Sequence, residues 1–263
     1  MGKSFSKLIM QVSLQKFSFV VKDYLSHEIS FFASEAINNT KSIEEQLDHI
    51  FNKYSVLTAS HDEVVVLHDS TLNTFVPQAI FKEDSMGSYL QYNTKVFATD
   101  FFAYDELALY EMNNVYLPFV SINNFLLDKL GTFTYQNIYT ELVAQLLNQS
   151  KESAEIQVYA YIQKEHFEIV IVKAGKLLLF NSFLYQTAQD FIYYILFAFE
   201  QLQLDVERTP LYLLGRIQEE EELYEQAYTF IRHVSIVDKK PFINVDLALH
   251  YQVPKHHYIL FHS

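Results

Sequence analysis

Glycine is scarce in this chain. Five occur in 263 residues, at positions 2, 87, 131, 175 and 215, where average usage near 7% would place about 18. Loops that cradle phosphate bring backbone N–H groups against the ligand, and that approach needs clustered glycines. None of the five lies near another, so P-loops, dinucleotide fingerprints and the Gly-x-Ser-x-Gly nucleophile elbow are excluded. Cysteine is absent. That removes thiol catalysis, disulfides, iron–sulfur clusters and thiolate zinc sites, and it suits a reducing compartment. Basic residues are few, 19 Lys plus Arg against 32 Asp plus Glu, for a formal charge of −13. Nucleic-acid affinity comes from neutralising phosphates, and the densest basic spot is only Lys239-Lys240. Nucleic acid and anionic lipid headgroups are therefore not expected partners. Long apolar runs are missing too: the longest, Phe191–Phe199, spans nine residues between Asp190 and Glu200, against roughly 20 for a membrane span. Leu8–Val21 is interrupted by Gln11, Ser13, Gln15 and Lys16 and reads as strands rather than a leader. A cytoplasmic protein without an integral membrane segment is expected.

What the chain does have is apolar mass. Half of it is hydrophobic, with 23 Phe and 19 Tyr, enough for a well-buried core. Tyr carries a polar handle, so these rings suit the edge of a core or a partner surface.

Two regions share one order of elements. Leu8–Leu14 and Phe17–Lys22 read as strands around Gln15-Lys16; Ile156–Gln163 and His166–Lys173 read as strands around Lys164-Glu165. Alternating runs divided by a short polar pair predict hairpins. At one constant offset Phe17-Ser18-Phe19-Val20-Val21 lies over Phe167-Glu168-Ile169-Val170-Ile171. A third strand follows each hairpin, His27–Ser34 and Lys176–Phe183, and then a helix. Ser42 with Glu45 predicts a capping box for the first helix, Thr187 with Asp190 a similar start for the second. The second helix is apolar nearly all round, which predicts burial on more than one side. Val64–Leu67 and Leu211–Leu214 close the two units as short strands. Glu219–Glu222 precede a further helix whose first turn they complement, and His233–Val237 reads as a fifth strand. Between the copies, Val96–Tyr104, Leu107–Glu111 and Val115–Val120 are strand-like; one helix from Ser121 to Gly131 and another over Ile138–Leu147 follow. Asn148–Glu155 is the expected boundary, giving an N-terminal lobe, 1–150, with an inserted subdomain at about 95–150, and a C-terminal lobe, 151–263.

Two copies of a three-stranded meander followed by α-β-α-β resemble the core of the actin, sugar-kinase and heat-shock-chaperone superfamily. Ile156–Phe183, with its Ala174-Gly175-Lys176-Leu177 turn, is similar to the second half of the pilus-assembly and secretion-platform branch. More closely, Asn181-Ser182-Phe183 through Phe191-Ile192-Tyr193-Tyr194, with Pro210-Leu211-Tyr212-Leu213-Leu214-Gly215, is similar to an uncharacterised domain family of Bacteroidetes. The resemblance implies an α/β, ribonuclease H-like, two-lobed actin-like ATPase fold of duplicated β-β-β-α-β-α-β units. It implies no activity.

The superfamily's nucleotide positions are altered here. Its first hairpin carries an Asp-x-Gly-type motif; the matching stretch is Val12-Ser13-Leu14-Gln15-Lys16. The second hairpin reads Tyr161-Ile162-Gln163-Lys164-Glu165, and of the paired glycines that meet adenosine only Gly215 stands, followed by Arg216. Backbone phosphate binding needs the missing glycines and magnesium the missing carboxylates. Ser13, Gln15, Lys16, Lys164, Glu165 and Gly215 are thus candidate cleft residues without the chemistry, and no catalytic residue, metal or cofactor is expected. His61-Asp62-Glu63, His68-Asp69-Ser70 and His250 with His256-His257 offer triad or metal residue types. Sequence neighbours rarely form a triad, however, and adjacent histidines on a strand face opposite ways. The expectation is a binding or scaffold protein that holds another protein; the alternative is an enzyme with a carboxylate or histidine site of another kind in the inter-lobe cleft.

Overall fold

In a computed structural model that describes residues 5–237, apart from 24, 27, 39, 93, 98 and 220, together with 259–260, the chain divides into two compact units. The first runs to Glu141 and the second starts at Leu142. The first unit opens with strands β1 (Ser6–Val12), β2 (Lys16–Asp23) and β3 (Ile29–Ala36), helix α1 (Ile43–Lys53) and strand β4 (Glu63–His68). Strands β5 (Asn73–Pro77), β6 (Ala103–Leu107) and β7 (Met112–Tyr116) then form a separate three-stranded sheet beside the short helix α2 (Met86–Leu90). Helix α3 (Val120–Leu130) and strand β8 (Thr134–Asn137) follow, and helix α4 (Ile138–Ser150) begins in the first unit and continues in the second. The second unit has β9 (Gln157–Ile162), β10 (His166–Lys173), β11 (Lys176–Leu184), α5 (Ala188–Gln201), β12 (Leu211–Gly215), α6 (Glu222–Phe230) and β13 (Val234–Ile236).

The expected duplication is present, strand for strand. One sheet has the order β3-β2-β1-β4-β8 and the other β11-β10-β9-β12-β13. In each, the first strand pairs antiparallel with the second and parallel with the fourth. Register breaks fall at matching places, Val21/Lys22 and Ile171/Val172. Both hairpin turns close with the same 2.9 Å bond, Ser13 N–H to the Lys16 carbonyl and Gln163 N–H to the His166 carbonyl. Burial follows the same residue-by-residue pattern across 11–20 and 161–170.

Each unit has its own core. In the first, Leu8, Met10, Phe17 and Phe19 pack against Leu47, Ile50 and Phe51 of α1 and Ile122 and Leu126 of α3. In the second, Val158, Ala160, Ile162, Phe167 and Ile169 pack against Phe191, Ile195 and Phe199 of α5 and Ala227 of α6. Each buried large side chain contributes roughly 1.5–3 kcal/mol, so these two clusters hold the sheets to their helices.

Several expectations are corrected. Ser42 Oγ accepts the Glu45 N–H, but the reciprocal bond is missing; Gln46 instead accepts the Asn38 N–H at 2.8 Å. Thr187 and Asp190 do form the full capping box. Helix α5 is buried on one side rather than on more than one: Ala188, Phe191, Ile192, Ile195, Ala198 and Phe199 share a face, and opposite them Tyr193 and Phe197 are 61% and 43% exposed. Leu107–Glu111 is largely a turn, because Ala108–Tyr110 form a 3-10 turn and Glu111 adopts φ 52°. Of the expected strand Val96–Tyr104, Ala103 and Tyr104 open β6, whereas Val96, Phe97 and Phe102 line a cavity of about 470 Å³ beside α2.

Candidate functional site

In open α/β sheets ligands gather outside the carboxyl ends of the parallel strands. In the first unit those ends are Val12, His68 and Asn137; in the second, Ile162, Gly215 and Ile236. The structure brings Ser13, Gln15 and Lys16 together in the turn at the first of these ends. It brings Lys164, Glu165 and Gly215 to the corresponding end of the second sheet.

At the first turn, polar groups are engaged inwardly. Ser13 Oγ donates to the Lys16 carbonyl at 3.3 Å and accepts the Gln15 N–H at 3.3 Å. The Gln15 carbonyl accepts the Ile37 N–H at 2.8 Å. At the second turn the Glu165 carbonyl accepts the Tyr185 N–H at 3.2 Å, and Tyr185 Oη donates to the Gln163 carbonyl at 2.7 Å. Gly215 has φ +87°, and a Cβ there would run into the Ile162 carbonyl oxygen. That oxygen accepts the Arg216 N–H at 2.8 Å. Close strand approach is enough to require this glycine. Its counterpart is His68, with Asp69 N–H bonding the Val12 carbonyl at 2.8 Å in the same way.

Behind the first sheet's carboxyl end lies a polar network that sequence reading passed over. Asp69 accepts from Gln11 Nε2 and from Tyr139 Oη, both at 3.0 Å. His68 does not join Asp69 and Ser70 as a triad. The Phe119 N–H donates to its Nδ1 at 3.1 Å, so Nε2 carries the proton and faces Asn123 Oδ1 at 3.0 Å. Burial holds the ring's pKa down at about 4. Asp105 of β6 accepts from Asn137 N–H at 2.8 Å, Thr140 Oγ1 at 2.5 Å and Tyr116 Oη at 3.1 Å. Burial pushes its pKa up to about 6 against those three donors. The same burial, with Asp105 alongside, pushes the Tyr116 phenol up. Asn137 Oδ1 caps α4 locally by accepting the Tyr139 N–H at 2.8 Å, and Asp105 braces that cap from another sheet through the Asn137 N–H and the Thr140 hydroxyl. No local pattern announces a brace supplied across the fold.

In the second unit, Glu168 is fully buried and accepts or shares a proton with His166 Nδ1 at 2.9 Å. An inward carboxylate in the run Phe167-Glu168-Ile169 was the available signal. His61 is tied to Ser6 Oγ at 2.7 Å and the Val56 carbonyl at 2.8 Å. His250, His256 and His257 lie outside the described residues. Among the described residues no three His, Asp or Glu side chains come together as a metal site, and no helix is long and apolar enough to cross a membrane.

A sequence family matches residues 2–234. The chain belongs to the family described as "Protein of unknown function (DUF3822)". No curated protein matches it. Among solved structures, this DUF3822 chain is similar to a Bacteroides thetaiotaomicron protein with an actin-like ATPase fold and unknown function. The TM-score is 0.82 at 23% identity, covering 95% of this chain and 96% of that one. It is also similar to a chain of the PilM–PilN type IV pilus biogenesis complex, with a TM-score of 0.59 at 12% identity over 98% and 97% of the two chains. The fold is thus the actin-like ATPase fold, as the duplicated meanders implied.

Proposed function

We propose that this family member is a non-catalytic binding protein that uses an actin-like ATPase fold to hold another protein. The observation carrying this reading is the state of the two hairpin turns. The Ser13, Gln15 and Gln163 N–H groups are bonded within their own turns, and Gly215 has a packing reason. A phosphate cradle needs such groups directed outward. The PilM–PilN complex, in which a chain of this fold is solved with a protein partner, supports a partner of the same general kind. The acidic balance and absent basic runs argue against nucleic acid as that partner.

The second reading, an enzyme, is favoured by one observation. Buried Glu168 orients His166, as a general base is oriented in many hydrolytic sites. Isothermal titration with Mg-ATP, beside a phosphate-release assay, separates the two. The binding-protein reading expects neither saturable heat in the micromolar range nor turnover. Micromolar affinity with phosphate release that disappears in Glu165→Gln or Glu168→Gln overturns it.

A further inference from the structure

Helices α5 and α6 cover the same face of the second sheet, since Phe191, Ile195 and Ala227 share one core with Val158 and Leu211. Their far sides therefore look away from the sheet, and they carry exposed rings among polar residues. Tyr193, Phe197 and Tyr228 are 61%, 43% and 62% exposed. The rings form stacks along each helix, Tyr193 on Phe197 at 6.4 Å and Tyr224 on Tyr228 at 6.1 Å. Stacking one helical turn apart keeps ring faces and edges presented together to the outside.

The duplicated unit supplies an internal control. Ser42 and Thr187 are the N-caps of the matching helices α1 and α5. At the same steps beyond those caps the first unit carries Asp48 and Asn52, and the second carries Tyr193 and Phe197. In the first unit Asn52 Nδ2 donates to Asp48 at 2.9 Å and Lys129 pairs with Asp48 at 2.6 Å. An ordinary solvated face satisfies the fold at these positions. The two exposed rings are not a requirement of the architecture, and exposed apolar rings in a cluster mark interaction surfaces.

Charge identifies the occupant. Neither α5 nor α6 contains a Lys or Arg, whereas both carry carboxylates, Glu200 and the exposed Glu222 and Glu225 among them. The matching layer of the first unit does include cations, Lys53 and Lys129. Aromatic faces bordered by carboxylates and lacking any cation of their own complement guanidinium groups, which stack on rings and bond carboxylates in one plane. We infer that the outer face of the α5–α6 layer docks a basic, apolar segment of a partner protein. Its arginines lie on Tyr193, Phe197 and Tyr228 and meet Glu200, Glu222 and Glu225. This inference rests on the binding-protein reading and names its surface.

The chain has no Trp, so a tryptophan-labelled probe peptide reports binding without background from the protein. The probe is a synthetic amphipathic peptide of arginine and leucine, with its glutamate-for-arginine counterpart as control. The arginine peptide is expected to bind salt-sensitively and the glutamate peptide not to bind. Tyr193→Ser with Phe197→Ser, and separately Glu222→Lys with Glu225→Lys, should each weaken binding by about tenfold or more. Glu44→Lys with Glu45→Lys, on the matching exposed face of α1, should leave it unchanged. Circular dichroism checks that every variant remains folded. Equal binding by wild type and the ring variant overturns the inference. So does equal loss in the α1 variant, or a self-association of the protein that the α5 substitutions abolish, which would make a second copy the occupant. The Mg-ATP titration on the same sample keeps the two proposals apart. Turnover there defeats the binding-protein reading, whereas a silent titration with no peptide effect defeats only this surface.

Discussion

At the scale of single residues, two buried titratable groups pull the stability of the first unit in opposite directions. The Asp105 pKa is raised to about 6 by burial. The folded state therefore holds its proton more tightly than the unfolded chain does, and the associated stability is present below pH about 4 and lost as pH rises through 6. His68, held down at about 4 by burial, does the reverse: its contribution is present above pH about 6.5 and lost as pH falls through 4. The two slopes largely cancel between them. Replacing Asp105 with Asn should remove one slope and expose the other. Compared with wild type, the variant should fare better at pH 7 than at pH 4 by about 3 kcal/mol, two pK units of linkage. Urea denaturation at the two pH values reads this directly, and an identical difference at both would refute it. Gly215 makes a sharper steric case. Gly215→Ala combines a positive φ with a backbone collision and should cost about 2–4 kcal/mol. Gly175→Ala also has positive φ, but its nearest contact is a flexible Lys151 methylene, so about 1 kcal/mol is expected. Equal losses in denaturant midpoint would show that strand approach is not what demands glycine at 215.

At the scale of elements, helix α5 divides cleanly between packing and surface. Phe191 and Ile195 are fully buried in the second core, and truncating either to Ala should cost roughly 2–5 kcal/mol. Tyr193→Ser, on the outer side, should change stability by less than about 0.5 kcal/mol. Chemical denaturation tests both; a large loss for Tyr193→Ser would mean that its ring is part of the fold rather than a surface. The long hairpins, the Thr187 capping box and helices α3 to α6 were all legible in the sequence, because each is announced by local periodicity or by a cap. Strand β8, Thr134–Asn137, was not. It is four residues with three polar side chains, and it is a strand because β4 offers a parallel edge from Val65 to His68. The apolar run at Val96–Tyr104 misled in the opposite sense: Ala103 and Tyr104 open β6, whereas Val96, Phe97 and Phe102 line a cavity instead of alternating across a sheet.

At the scale of the whole molecule, the two cores share no member. Phe191→Ala should accordingly speed amide exchange in β9 and β12 while β1 and β4 keep wild-type protection; equal acceleration in both sheets would show that they open as one cooperative unit. The duplication itself is legible in the sequence alone. Strand period, turn positions and helix caps are local properties, and two copies of one order leave a repeated pattern even where identity has vanished. The exclusions were equally available, because glycine and cysteine counts do not depend on tertiary contacts. Which polar groups meet was decided only by the fold. Asp105 braces the Asn137 cap of α4 from a different sheet, and His68 turns to Asn123 rather than to the adjacent Asp69. Gly215 stands where it does for the sake of the Ile162 carbonyl. Tyr193 and Phe197 are exposed although the helix carrying them reads as apolar throughout. In each case the partner is distant in sequence, or is solvent, and hydrophobic periodicity carries no information about either.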